Sequence, residues 1–212
     1  MRLDHVSYAA EADGLMATAE RLGATLGIEP VDGGYHPRFG TRNVLLPVAG
    51  GRYVEVVEAL EHPSAEKEPF GQVVRARSLT GGGWIGWVVA VDDIRPTEQR
   101  LGRPSVPGNR HRPDGVELRW RQIGVSGMQA DPQLPFVVCW ESGPQHHPSA
   151  GASGDVAIDT LRIAGDPHRV REWLGLDAAY EAQTVDFTFV APHGTPGLIA
   201  VSFTTPHGSV VV

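Results

Sequence analysis

The sequence predicts an α+β protein assembled from repeated strand–helix–strand–strand units. Three observations carry that expectation. Short runs rich in β-branched and aromatic residues alternate with stretches whose apolar residues fall at spacings of three and four. Clusters of Gly and Pro punctuate them. The same order of elements returns three times, at 1–60, 84–141 and 155–205.

Residues 2–9 read as a strand. Glu11 to Leu26 carries Leu15, Met16, Ala19, Leu22 and Leu26 on one stripe, which predicts a helix, and Gly27 is placed to stop it. Val31 to Gly40 reads as loop, because Gly33, Gly34 and Pro37 interrupt any pattern. Thr41–Pro47 and Arg52–Leu60 read as a hairpin turning at Ala49-Gly50-Gly51. A helix is expected near Ala65 to Arg77, ending at Gly81-Gly82-Gly83. The second unit has strands at Trp84–Val91, Val116–Ile123 and Leu134–Glu141, with a short helix at Arg95–Leu101. Gly143 to Gly154 reads as a linker, so two regions are expected: 1–142, holding the paired units, and 155–212, packed on the same sheets. In the latter, Val156–Ile163, Val185–Val190 and Leu198–Thr204 read as strands, Pro167–Leu174 as a helix capped by Asp166, and Pro192-His193-Gly194 as a turn.

The 212 residues are 41% hydrophobic and 20% charged, which suits a chain with a packed core. Eighteen Lys and Arg against 25 Asp and Glu leave a formal charge of -7. That sign argues against nucleic acid or an anionic membrane as a partner. No apolar run approaches the roughly 20 residues that span a bilayer, the N-terminus has no signal-peptide pattern, and a lone Cys139 rules out an intrachain disulfide. The expected setting is the cytoplasm. Cys139, within Phe136-Val137-Val138-Cys139-Trp140, reads as a small buried hydrophobe rather than a nucleophile. Gly81-Gly82-Gly83 lacks the Lys-Ser or Lys-Thr of a phosphate loop, and there is neither a Gly-x-Ser-x-Gly elbow nor a Cys-x-x-Cys pair.

Leu3-Asp4-His5-Val6, the stretch from His36 to Asn43, Tyr53-Val54-Glu55-Val56-Val57, Gly83-Trp84-Ile85-Gly86, Asp114 to Trp120 and Pro135-Phe136-Val137-Val138 together resemble, in order and spacing, the glyoxalase-like domain proteins of the vicinal oxygen chelate superfamily. The resemblance covers most of the chain and is weaker after 155. It implies paired βαβββ-type modules whose curved, mixed and antiparallel sheets enclose a cavity. In metal-dependent relatives a divalent ion (iron, manganese, zinc or nickel) sits there, held by His or Glu from the first and last strands of two modules. His5 matches the first-strand ligand of module one and Glu55 its last-strand carboxylate. The second module departs: Trp84-Ile85-Gly86-Trp87-Val88 has no His, and its last strand offers only Glu141, at the strand end.

The residues can also be read without the resemblance. A carboxylate inside Tyr-Val-Glu-Val-Val is costly to bury unless paired, so Glu55 asks for His5, a metal or a buried Arg, or else faces solvent on an edge strand. His5 is either a site group or a structural histidine bonded to backbone. His36 and Arg38 lie in the segment entering the next strand, with Thr41 and Asn43 on one face of that strand; His36 is a candidate acid, base or third ligand, Arg38 a carboxylate clamp, and the bland reading is a turn. Of the strand tryptophans Trp84, Trp87, Trp120 and Trp140, most read as core, and Trp84 and Trp140 are the candidates for a cavity wall. His146-His147, His193 and His207 read as solvated loop or turn residues.

Two functions fit. One is a small-molecule enzyme of lyase, isomerase or dioxygenase type, with or without a metal, using Glu55, His5 and His36. The other is a protein that binds or sequesters a small molecule without turnover. A homodimer is in keeping with the resemblance.

Overall fold

The computed structural model describes residues 1–150, 152, 154–175, 185–191 and 193–212. The first unit is β1 (Arg2–Ala9), α1 (Leu15–Leu26), β2 (Val31–His36), β3 (Thr41–Val48) and β4 (Arg52–Ala59). Helices α2 (Pro63–Lys67) and α3 (Pro69–Leu79) lead to the second, which is β5 (Gly83–Ala90), α4 (Arg95–Leu101), β6 (Val106–His111), β7 (Glu117–Ile123) and β8 (Phe136–Trp140). The third is β9 (Ala157–Ala164), α5 (Pro167–Leu174), β10 (Asp186–Val190), β11 (Gly197–Thr205) and β12 (Gly208–Val211).

Three strands stand where the sequence predicts none. β2 forms across Gly33 and Gly34 because its backbone pairs with β3 from Val31↔Leu45 to His36↔Thr41, and a ladder needs no side-chain pattern. Likewise β6, whose Pro-Gly-Asn-Arg-His composition reads as turn, pairs with β7 along its whole length. β12 adds to β11. The single helix expected at 65–77 is two, because Glu68 turns extended ahead of Pro69. The Asp166 cap forms, its carboxylate accepting from the His168 N–H at 2.8 Å.

Eight strands close a barrel in the order β1-β4-β3-β2-β6-β7-β8-β5. In each half the first strand runs parallel to the last, β1 with β4 and β5 with β8. The halves join along an antiparallel β1–β5 ladder, and on the far side by one pair, Tyr35↔His111. The third unit repeats the order of elements but not of strands: β9 lies between β10 and β11 in a sheet ordered β10-β9-β11-β12.

Strand alternation splits the buried residues into two sets. Val6, Val44, Leu46, Val54 and Val56 point out of the barrel into a core shared with Leu15, Ala19 and Leu22 of α1 and with Ile158, Leu161 and Phe203 of the third unit. Val57, Val88, Trp120, Phe136 and Val138 form a second, inner set with Phe39 and Phe70. Both faces of the barrel wall are therefore covered, which is why β5 reads as an unbroken run without a charged residue. Among the described residues no helix is long and apolar enough to cross a membrane.

Candidate functional site

Inside the barrel one carboxylate collects its neighbours. Glu55 of β4 is buried, its Oε2 accepting from the Ser7 hydroxyl at 2.8 Å and its Oε1 from the Asn43 amide at 2.7 Å. His5 Nε2 lies 3.9 Å from Oε2, and His36 Nε2 lies 3.8 Å from Oε1. Pairing brings these residues together: Leu45 and Ser7 lie opposite Glu55 on β3 and β1, and His36 lies opposite Thr41 at the end of β2. Gly33 makes room for Asn43, because a Cβ there would overlap the Asn43 side-chain oxygen.

Each imidazole is held at its other nitrogen. His36 Nδ1 is 3.1 Å from the Thr41 hydroxyl. His5 Nδ1 is 2.8 Å from Oδ1 of Asp4, and the ring stacks on Tyr53 with centroids 4.5 Å apart. Asp4 is wholly buried, and its Oδ2 meets the Trp140 indole N–H and His147 Nε2, each at 3.1 Å, with Arg2 at 3.4 Å. A register shift in the β1–β5 ladder between Leu3 and His5 lets Asp4 and His5, neighbours in sequence, interact with each other and both be buried. His147 is thus not the solvated linker residue its sequence surroundings predict; its ring packs edge-on against Tyr53 and Trp140, and Nδ1 is 2.7 Å from the Ser149 hydroxyl.

These contacts set the charges. Burial pushes the Asp4 carboxyl up, but the hydrogen bonds and charge of His147 and His5 outweigh it and hold Asp4 well below the carboxylate range. Burial opposes ionisation of Glu55 as well, yet His36, His5, Ser7 and Asn43 bring it below its ordinary value. For His36 burial wins, with Arg110 and His5 adding to it and Glu55 opposing, and its pKa falls to about 4. His36 is therefore a neutral imidazole at pH 7.

The second half supplies the rest of the wall: Arg110 of β6, Trp120 and Gln122 of β7, and Phe136, Val138 and Trp140 of β8, which with Phe39 and Phe70 line a cavity of about 460 Å³, open mouth included. Trp120 lies against the backbone of β6 at Gly108, where a Cβ would strike the indole.

Of the expected site residues, the structure brings His5, His36, Thr41, Asn43, Glu55 and Trp140 together. Two lie elsewhere. Trp84 sits on the outer side of the barrel, edge-on to Tyr8, and donates its indole N–H to the Val212 carbonyl at 2.9 Å. Arg38 donates to the Pro107 carbonyl at 2.8 Å and lines an outer groove that shares Phe39, Gln122 and Val125 with the cavity. Glu141, the one carboxylate near the last strand of the second half, is absent from the cavity lining. Sequence reasoning missed Asp4, Arg110, Gln122 and His147. Arg110 lies in a stretch where the sequence predicts no element.

A divalent ion of the kind the resemblance implies does not fit these residues. Among the described residues no group of three His, Cys, Asp or Glu side chains is set to hold one. Both oxygens of Glu55 already accept hydrogen bonds, and the described residues of the second half line the cavity with neither a His nor a carboxylate.

The profile of the glyoxalase-like domain family matches residues 3–179. The chain matches no curated protein sequence. Among solved structures, a hypothetical protein from Staphylococcus aureus superposes with a TM-score of 0.68 at 14% identity, over 96% of this chain and 91% of that one. The methylmalonyl-CoA epimerase of Mycobacterium tuberculosis aligns with a TM-score of 0.45 at 18% identity, over 68% of this chain and 89% of its own.

Proposed function

We propose, for a chain that belongs to the glyoxalase-like domain family, an acid–base enzyme that moves a proton on a small oxygenated organic molecule held in the barrel, as an isomerase or lyase does. The observation that carries this reading is the flanking of the Glu55 oxygens by His5 Nε2 and His36 Nε2 at 3.9 and 3.8 Å, with each imidazole oriented from behind.

In this reading His5 is the base. Asp4 accepts the Nδ1 proton, so the lone pair of Nε2 faces the cavity. Nε2 takes a proton from a carbon next to a carbonyl; the C–H bond breaks, the N–H bond forms, and the electron pair moves onto the carbonyl oxygen. Asp4 and Glu55 stabilise the resulting imidazolium. His36 is neutral, and in the tautomer this reading assigns, Nδ1 accepts from the Thr41 hydroxyl and Nε2–H is the donor to the developing oxyanion. Return of the proton completes an isomerisation, and expulsion of a group from the next carbon completes a lyase reaction.

The test is exchange with solvent. In D₂O the protein should wash out the C–H signal of a carbonyl compound that fits, followed by NMR across a panel of small ketones and oxo acids, and His5→Gln and Glu55→Gln should each lose that exchange. Wild-type exchange that survives both substitutions defeats the reading. The aromatic walls Phe39, Phe70, Trp120 and Phe136 favour a second reading, binding without turnover. It predicts thermal stabilisation by a ligand that never exchanges.

A further inference from the structure

We infer that Arg110 is the anchor for an anionic group, and that the cavity takes a small organic acid, bound through its carboxylate. The inference rests on the reading of this cavity as the functional site. It does not need His5 or Glu55 to do chemistry.

Arg110 is 2% exposed, yet its Nε has no hydrogen-bond partner, and among the described residues no carboxylate lies within ion-pair distance of its guanidinium. Burial works against its charge, and Tyr53, Glu55 and Asp32 favour it only from beyond ion-pair distance. A buried, unpartnered cation is costly and is kept where something else supplies the counter-charge. A second donor lines the same wall. Trp120 donates its indole N–H to Gln122 Oε1 at 2.7 Å, which fixes the amide and leaves Gln122 Nε2 buried with no partner. Two orphaned donors, one of them a guanidinium fork, call for a ligand that only accepts. A carboxylate is that ligand, and a forked pairing is the geometry arginine offers it. β2, which carries His36, pairs with β6, which carries Arg110, and His5 and Glu55 line the same cavity, so an acid held at Arg110 would present its neighbouring carbons to them. The aromatic rings that line the same cavity limit the remainder to a small, largely apolar group.

The experiment measures thermal unfolding of the intact chain with benzoate, phenylacetate and butyrate, each beside its primary amide and beside sodium chloride. At a hundredfold excess over Kd, at least one carboxylate should raise the midpoint by about 5 °C or more, while its amide does not. Arg110→Met should abolish that shift and, without ligand, melt at or above the wild-type temperature, because an unpaired charge has left the interior. Glu55→Gln should keep the shift, which separates failure of this assignment from failure of the proton-transfer reading. Equal stabilisation by amides, a shift reproduced by chloride, no shift with any carboxylate, or a shift retained in Arg110→Met would each overturn the assignment.

Discussion

The imidazole Nε2 of His147 lies 3.1 Å from the buried Oδ2 of Asp4, although 143 residues of chain separate them. The contact ties the segment after β8 to the first strand, behind the residue proposed as base. Asp4→Asn should preserve the packing but no longer hold His5 in one tautomer, so the solvent-exchange rate should fall by about two orders of magnitude or more. His147→Ala leaves the cavity lining intact and removes one of the partners of Asp4, and should cost about 1–3 kcal/mol in urea unfolding. An Asp4→Asn variant with wild-type exchange would show that Asp4 is only structural.

Stability should fall in mild acid because of His36. Its folded pKa, about 4, lies below the unfolded value of 6.5, so the unfolded chain binds the proton first. Stability is full above pH 6.5 and declines as pH drops towards 4, by up to about 3 kcal/mol. Glu55, whose folded pKa is lowered, adds to the loss as pH falls further through the carboxylate range. Denaturant unfolding at pH 7, 5.5 and 4.5 reads this directly. In His36→Gln the loss between 6.5 and 4.5 should flatten.

Gly33→Ala tests the support beneath Glu55. The new methyl group would push the Asn43 side chain away from the carboxylate. Overpacking of this kind costs about 1–3 kcal/mol, and the exchange rate should fall with it. Gly27→Ala, where nothing crowds the added methyl group, is the control, carrying only the strain of its positive φ.

Chelation should leave the proposed activity unchanged. Protein treated with EDTA and desalted should exchange substrate protons at the untreated rate, and adding iron, manganese, zinc or nickel should not raise it. A rate that collapses and is restored by one of these metals would transfer His5 and Glu55 to the role of ligands.

The sequence made the first half of the barrel more legible than the second. β1 and β4 declare themselves by composition, and His5 and Glu55 stand out as polar residues in apolar runs. β2 and β6 do not, because their Gly and Pro residues are tolerated by backbone pairing that only the assembled sheet supplies. Arg110 vanished with β6. Asp4 was hidden by the register shift that lets it share the site with its neighbour, and His147 by a loop composition that usually means solvent. Trp84 failed differently: its strand was read correctly, but both faces of that strand are buried, so burial gave no sign of which one bounds the cavity.

The two halves of the barrel bring different things to it. His5, His36 and Glu55 come from the first half, whereas the buried cation and the walls of Trp120, Phe136 and Trp140 come from the second. On the proposed reading, substitutions at Arg110, Gln122 or Val138 can therefore alter which molecule is held while His5, His36 and Glu55 keep their hydrogen-bond partners. Such a division would let the specificity of the cavity change by substitution in one half alone, and it marks residues 106–138 as the region to randomise when a different specificity is wanted.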